Sequence, residues 1–125
     1  SHNHPIYRNK IPFISFCEHH MFPFFGEVSI AVLPQKNILG VSKFSDLINN
    51  LSSKLTLQEK LTEEIAEEIL ENLDPQGVYV KVKAKHLCSD LLSPENSIGD
   101  ITTTFANGIY ELDSSLRAEA ALNMS

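Results

Sequence analysis

Residues 16–21, with the sequence FCEHHM, place a thiol, a carboxylate and two adjacent imidazoles within four positions. A second cysteine, Cys88, follows a histidine, His86, by two positions. Thiolates and imidazoles suit zinc, and two cysteines that each have a histidine nearby favour a metal site over a disulfide. The pattern therefore predicts a zinc site made by Cys17, His20 and Cys88, with a Cys17–Cys88 disulfide as the alternative.

Three protein ligands leave one coordination position open, as in catalytic zinc sites. A zinc ion with an open position can lower the pKa of a bound water to about 7. His19 and His86 are then unused by the metal, and imidazoles that titrate near neutrality can transfer protons beside it. Alternatively, His19 is a solvent-exposed neighbour of a ligand and His86 a half-buried strand residue. Glu18 either supports a ligand or faces water.

Length and charge limit the other classes of function. The chain has 125 residues, 42% apolar content and a formal net charge of −6, typical of one acidic globular domain. This charge argues against a nucleic-acid partner, which a basic surface would bind. No apolar run approaches the length of a membrane span, so we expect a cytoplasmic protein without a membrane partner. We expect residues 1–10 to form an N-terminal arm, in part foreign to the native protein, and residues 11–125 to form a single domain.

The apolar patterning predicts an α+β fold with the order β-β-α-α-β-β. Alternating apolar residues indicate strands at residues 11–16, 26–33, 78–85 and 101–110, the last with an irregularity at its glycine. Residues 42–51 and 57–73 carry apolar residues at helical spacing. Such a pattern is typical of an antiparallel sheet with helices on one face.

Two polar residues next to these helices have structural alternatives. Ser42 precedes the first predicted helix and fits an N-cap. Thr56 and Glu59 form the T-x-x-E pattern of a capping box ahead of the second helix. Spacing alone favours the capping role for Glu59.

Several segments in order resemble the GTP cyclohydrolase I family. They are SFCEHHMFPFFG at residues 15–26, GVSKF at 40–44, LQEKLT at 57–62, AKHLC at 84–88, TTTFANGIY at 102–110 and RAE at 117–119. The resemblance extends from about residue 11 to the end of the chain, and the family's N-terminal helical region is absent.

This resemblance implies the tunnelling fold (T-fold), a four-stranded antiparallel sheet with two helices on one face. It also implies a homo-oligomeric ring, typically a decamer of two pentamers, with active sites between subunits. Cys17, His20 and Cys88 match the zinc ligands. The remaining matches are His19 and His86 for proton transfer, Gln58 and Glu59 for the guanine edge, and Ser42 and Lys43 near the ribose and triphosphate.

The implied reaction is zinc-dependent opening of a purine ring, in which GTP and water give 7,8-dihydroneopterin triphosphate and formate. Zinc chemistry would act at C8, His86 would protonate N7, and His19 and Ser42 could share the later proton transfers. Glu59 can accept two N–H bonds from guanine, a match that adenine cannot make.

Two positions depart from the family where the phosphates would bind. Leu92 and Asp46 stand where the family usually has arginine. Arginine binds phosphate through a planar fork of donors with a permanent charge, so both changes should weaken triphosphate binding. The alternatives are therefore an enzyme for a less phosphorylated purine or a pterin, or a non-catalytic ring protein that binds zinc and a pterin.

Overall fold

A computed structural model describes residues 4–19, 21–35, 41–87 and 99–125. Within them the chain forms five strands, four α-helices and a 3₁₀ turn at Val41–Lys43. In chain order these are β1 (Ile6–Cys17), β2 (Pro23–Leu33), α1 (Phe44–Ser52), β3 (Leu55–Thr56), α2 (Gln58–Leu73), β4 (Gly77–His86), β5 (Asp100–Gly108), α3 (Ile109–Leu112) and α4 (Ser114–Asn123).

The strands form one sheet in the order β3-β1-β2-β4-β5. The four long strands pair antiparallel, whereas β3 pairs parallel with the end of β1 through two residues. In this register Phe16 lies opposite Pro23, and Phe24 lies opposite His86. The end of β1 and the end of β4 consequently lie at the same end of the sheet, which we call the Cys17 end.

A β-bulge interrupts β1 near the opposite end of the sheet. Arg8 pairs with Ile30 and Ile11 pairs with Val28, so three steps along β1 match two steps along β2. Lys10 takes a left-handed backbone conformation there, with φ of 59°. The extra residue changes the alternation of side chains and turns Arg8 toward the helices.

Helices α1 and α2 cover one face of the sheet and enclose the main core. Leu61, Ile65 and Ile69 of α2 are buried against strand residues that include Val80 and Val82. This burial follows from the four-residue apolar spacing of α2, whose opposite side carries exposed glutamates.

The C-terminal helix α4 covers part of the opposite face of the sheet. Its Ala120, and Met124 just after it, pack with Ala31, Leu33 and Tyr110 in a second, smaller core. The chain reaches this face through Gly108, whose φ of 61° ends β5 and turns the backbone into α3. Asp113 caps α4 by accepting a hydrogen bond from the Leu116 N–H at 3.1 Å.

The predicted β-β-α-α-β-β order and the α+β class are confirmed. The structure adds the short strand β3 and the C-terminal helices α3 and α4, and β1 begins at Ile6 rather than at residue 11. The predicted last strand at residues 101–110 is too long, because β5 ends at Gly108 and Ile109 and Tyr110 are helical. Both N-cap predictions are wrong. The N-cap of α1 is Lys43 rather than Ser42, and that of α2 is Leu57 rather than Thr56, with no side-chain cap at either helix.

No helix in the described parts of the chain is long and apolar enough to cross a lipid bilayer.

Candidate functional site

The loop after β1 is closed by its backbone at the Cys17 end. The Cys17 N–H donates to the Phe22 carbonyl at 2.9 Å, and the Met21 N–H donates to the Cys17 carbonyl at 2.8 Å. The Glu18 N–H donates to the Thr56 carbonyl of β3 at 3.0 Å, which fixes the loop to the start of α2. Cys17 is therefore held in place by backbone hydrogen bonds on two sides of the loop.

Among the described residues, Cys17 has a free, buried thiol. A buried thiol at the start of an anchored loop fits the donor chemistry of zinc. The other two predicted ligands, His20 and Cys88, lie outside the described residues, as does Leu92. Among the residues that the structure does describe, no group of three potential ligands could hold a metal ion. The zinc site therefore remains a prediction.

His86, at the end of β4, is held by two different contacts. Its ring stacks on Phe24 with a centroid distance of 4.9 Å and an interplanar angle of 8°. Its Nε2 atom lies 2.6 Å from the Oε1 atom of Gln58. Burial lowers the pKa of His86, while the negative charge of Glu59 acts in the opposite direction. His86 is thus an oriented imidazole with Glu59 close enough to influence its charge.

Gln58, the first residue of α2, is 2% exposed and fully engaged with the protein. Its Nε2 atom donates to the carbonyl of Val82 at 3.1 Å and that of Ile101 at 2.9 Å. It also lies 3.1 Å from the hydroxyl of Thr103. The structure therefore places Gln58 behind His86, between α2 and the sheet.

Glu59 is exposed in the first turn of α2, beside the buried Gln58. Because Leu57 is the N-cap and no side chain caps this helix, the competing capping role of Glu59 is excluded. Nearby, Glu18 lies 3.6 Å from the ammonium of Lys60. His19 is exposed on the same loop as Cys17.

Ser42 and Lys43 do not join this cluster within one chain. They lie just before α1, where Arg8 donates to the Ser45 hydroxyl at 3.1 Å. Arg8 is nine residues before Cys17 on β1, and at about 3.3 Å per residue the two are roughly 25–30 Å apart. The described candidates consequently form two groups, one at each end of the sheet.

A cavity of about 260 Å³ between α1 and α2 adjoins the second group. Lys43 and Asp46 line one wall, while Glu68 and Asn72 line the other. Asp46 is exposed in the first turn of α1. Its carboxylate adds negative charge where the family resemblance predicted an arginine.

Sequence reasoning missed the residues that support His86. Phe24 was noted only within the segment at residues 15–26, and Thr62 and Thr103 only within a helix and a strand. In the structure Phe24 stacks on His86, and the two threonines form hydrogen bonds with Gln58 and with each other. The one available signal was polar residues at buried positions, since buried polar groups usually have partners.

Comparison with known proteins gives one family and one fold. The profile described as GTP cyclohydrolase I matches residues 1–125. Three proteins named GTP cyclohydrolase 1 are similar to this chain. The one from Fusobacterium nucleatum subsp. nucleatum is 47% identical over 117 residues, which are 94% of this chain and 63% of the relative. The relative from Latilactobacillus sakei subsp. sakei is 43% identical over 110 residues, or 87% and 58% of the two chains. The relative from Helicobacter pylori strain G27 is 40% identical over 114 residues, or 91% and 63%.

The chain spans about three fifths of the length of these relatives. Among solved structures, an archaeosine synthase QueF-Like in the apo form aligns with a TM-score of 0.65 over 83% of this chain and 93% of that chain. At 20% identity this likeness shows the fold alone, and it confirms the tunnelling fold. Since the family profile matches the chain along its whole length, the chain belongs to the GTP cyclohydrolase I family.

Proposed function

We propose that the protein is a zinc-dependent hydrolase that converts GTP and water to 7,8-dihydroneopterin triphosphate and formate. The observation that carries this proposal is the cluster at the Cys17 end, where a buried thiol, an oriented imidazole and an exposed carboxylate lie at the same end of the sheet. Membership of the GTP cyclohydrolase I family supports the reaction class.

We assign the residues named for this activity to separate roles by their chemistry. Cys17, His20 and Cys88 would hold zinc, and bound zinc would polarise water for attack at C8 of the purine. Glu59 accepts hydrogen bonds from N1–H and the 2-amino group of guanine. His86 delivers a proton to N7, and formate leaves after the imidazole ring opens. His19 and Ser42 serve the later proton transfers, and Lys43 binds the phosphate end.

A complete site of this kind requires more than one copy of the chain. The Cys17 end and the Ser42–Lys43 segment are separated along β1, so one chain supplies each group to a different site. β5 and most of β1 are edge strands of the sheet, and pairing between copies would cover them. We expect a ring, with a decamer of two pentamers as the proposed assembly and the active sites between subunits.

Formate release with a panel of purines tests the proposed reaction. Purified zinc-loaded protein is assayed with GTP, GMP and guanosine, and the pterin product is measured by fluorescence after oxidation. Inosine triphosphate, which lacks the 2-amino group, should lose about tenfold in kcat/KM because Glu59 loses one charge-assisted hydrogen bond. No formate from any of these purines would refute the proposed activity.

A second candidate is an enzyme of the same chemistry for a less phosphorylated purine or a pterin. The exposed carboxylate of Asp46 beside Lys43 favours it, because negative charge in that cavity opposes a triphosphate. Turnover of GMP or guanosine equal to or faster than that of GTP would select this candidate. Efficient turnover of GTP with the other two inert would exclude it.

A further inference from the structure

The amide of Gln58 has a single allowed orientation. Its Nε2 atom faces the carbonyl oxygens of Val82 and Ile101 at 3.1 and 2.9 Å. Carbonyl oxygens can only accept hydrogen bonds, so an amide rotated by half a turn would place its own oxygen against two acceptors. Because Gln58 is 2% exposed, water cannot relieve that repulsion. The nitrogen therefore points into the sheet and the oxygen points toward His86.

Two threonine hydroxyls complete this assignment. Thr62 donates to the Gln58 backbone carbonyl at 2.7 Å, so its single hydrogen is used. Thr103 lies 2.8 Å from the Thr62 hydroxyl and must then be the donor in that pair. The Thr103 oxygen keeps a lone pair for Nε2 of Gln58 at 3.1 Å and shares one of the two amide hydrogens with a backbone carbonyl. Every hydrogen in this group of three side chains thus faces an acceptor.

The orientation of Gln58 determines the proton position on His86. The Gln58 Oε1 atom lies 2.6 Å from His86 Nε2, and an amide oxygen only accepts. His86 Nε2 must therefore carry hydrogen, which leaves Nδ1 unprotonated in the neutral ring. The stacking of the ring on Phe24 fixes its plane, while the hydrogen bond fixes its rotation within that plane.

We propose that Gln58 is a positioning residue that holds neutral His86 as the Nε2–H tautomer, so that Nδ1 takes up a proton from solvent water and the resulting imidazolium delivers that proton from Nδ1 to the substrate. This assignment rests on the proposed function only for the identity of that substrate. It replaces the predicted contact of Gln58 with the guanine edge, because both the nitrogen and the oxygen of the buried amide are already bonded within the protein. Recognition of guanine then falls to Glu59, the exposed neighbour.

Nitrogen NMR of the histidine rings tests the tautomer without any measurement of activity. Zinc-loaded protein is prepared with ¹⁵N in its histidine rings, and a His86→Gln variant identifies the signals of His86. At an alkaline pH, where the ring is neutral, we expect the hydrogen-bearing nitrogen to be Nε2. A proton on Nδ1, or equal populations of the two tautomers, would overturn the proposal.

Kinetics of a Gln58→Met variant test the role of this hydrogen bond. Methionine has a similar length but cannot bond His86, so we expect kcat for GTP to fall about tenfold or more while KM changes less than about twofold. The matched control is Gln76→Met, which removes a side-chain hydrogen bond to the Pro34 carbonyl at the opposite end of the sheet. The control should keep the kcat of the wild type.

The other kinetic outcomes contradict the proposal. A raised KM with unchanged kcat in Gln58→Met would indicate that Gln58 contacts guanine after all. An equal loss of kcat in Gln58→Met and Gln76→Met would indicate a general loss of structure. If the Gln58→Met protein does not fold, the ring-nitrogen spectrum of the wild type decides alone. Absence of formate release by the wild type would refute the proposed function while leaving the tautomer result intact.

Discussion

The separation of the two candidate groups predicts that two inactive variants restore activity when they assemble together. His86 lies at the Cys17 end, and Lys43 lies two residues before Ser45, which binds Arg8 near the other end of β1. The two ends are roughly 25–30 Å apart at about 3.3 Å per strand residue. Because the two groups lie toward different ends of the sheet, we expect His86 and Lys43 of one chain to serve different substrate molecules.

The expected recovery follows from random mixing of His86→Ala and Lys43→Ala chains in equal amounts. A site needs an intact His86 from one copy and an intact Lys43 from another, and each is present with a probability of about one half. About one quarter of the sites, and hence of the wild-type rate, should return. For a ring of five or more subunits, this fraction depends little on the number of subunits.

The assay measures formate release from GTP after co-expression of the two chains with different affinity tags and purification through both. The matched control mixes wild-type chains with chains that carry both substitutions. It should also give about one quarter if each site spans two copies, but about one half if each site lies within one chain. Recovery near zero for the mixed single variants, together with one half for the control, would refute the division of the site between copies.

Three further predictions concern the second core, the phosphate end and the metal. The Tyr110 hydroxyl is buried and has no hydrogen-bond partner among the described residues, so Tyr110→Phe should raise the free energy of unfolding by about 1–2 kcal/mol in urea titrations. Burial also raises the pKa of Tyr110, so the native state keeps its proton when the unfolded state ionises near pH 10. The free energy of unfolding should therefore fall above about pH 10, and it should fall less steeply in Tyr110→Phe than in the wild type. The same dependence on pH in both proteins would contradict this argument. Asp46→Arg should raise kcat/KM for GTP over that for guanosine by about tenfold or more, with Asp46→Asn between the variant and the wild type. An unchanged ratio would show that this position does not meet phosphate. Dialysis against a chelator should abolish formate release, and added Zn²⁺ but not Mg²⁺ should restore it. Full activity in protein shown to be free of metal would exclude the zinc mechanism.

The sequence predicts the regular elements because their patterns are long. The apolar spacing of α2 places Leu61, Ile65 and Ile69 in the core, as the structure confirms. The two-residue strand β3 has no such pattern, because it exists only through pairing with Phe16 and Cys17. That pairing also explains the wrong capping box. Thr56 is buried in β3 and cannot act as the first residue of a helix.

The candidate site shows the same limit. Spacing finds Cys17 and His86 as residues able to do chemistry, and the family resemblance adds Glu59, but neither can distinguish an exposed polar side chain from a buried one. Gln58 and Glu59 are adjacent in sequence, yet the first is enclosed between α2 and the sheet while the second faces solvent. The separation of His86 from Lys43 depends on strand register, which a local pattern does not contain.

The bulge in β1 determines where this strand could change in length during evolution. Removal of Lys10 would leave two steps on each strand between Arg8 and Ile11, so Tyr7 would still face the C-terminal helix and Arg8 would still face α1. Loss of one residue between Ile11 and Cys17 would instead exchange the two faces for every position on one side of the deletion. Insertions and deletions among homologous sequences should therefore concentrate at the position of Lys10, and the stretch from Ile11 to Cys17 should keep a constant number of residues.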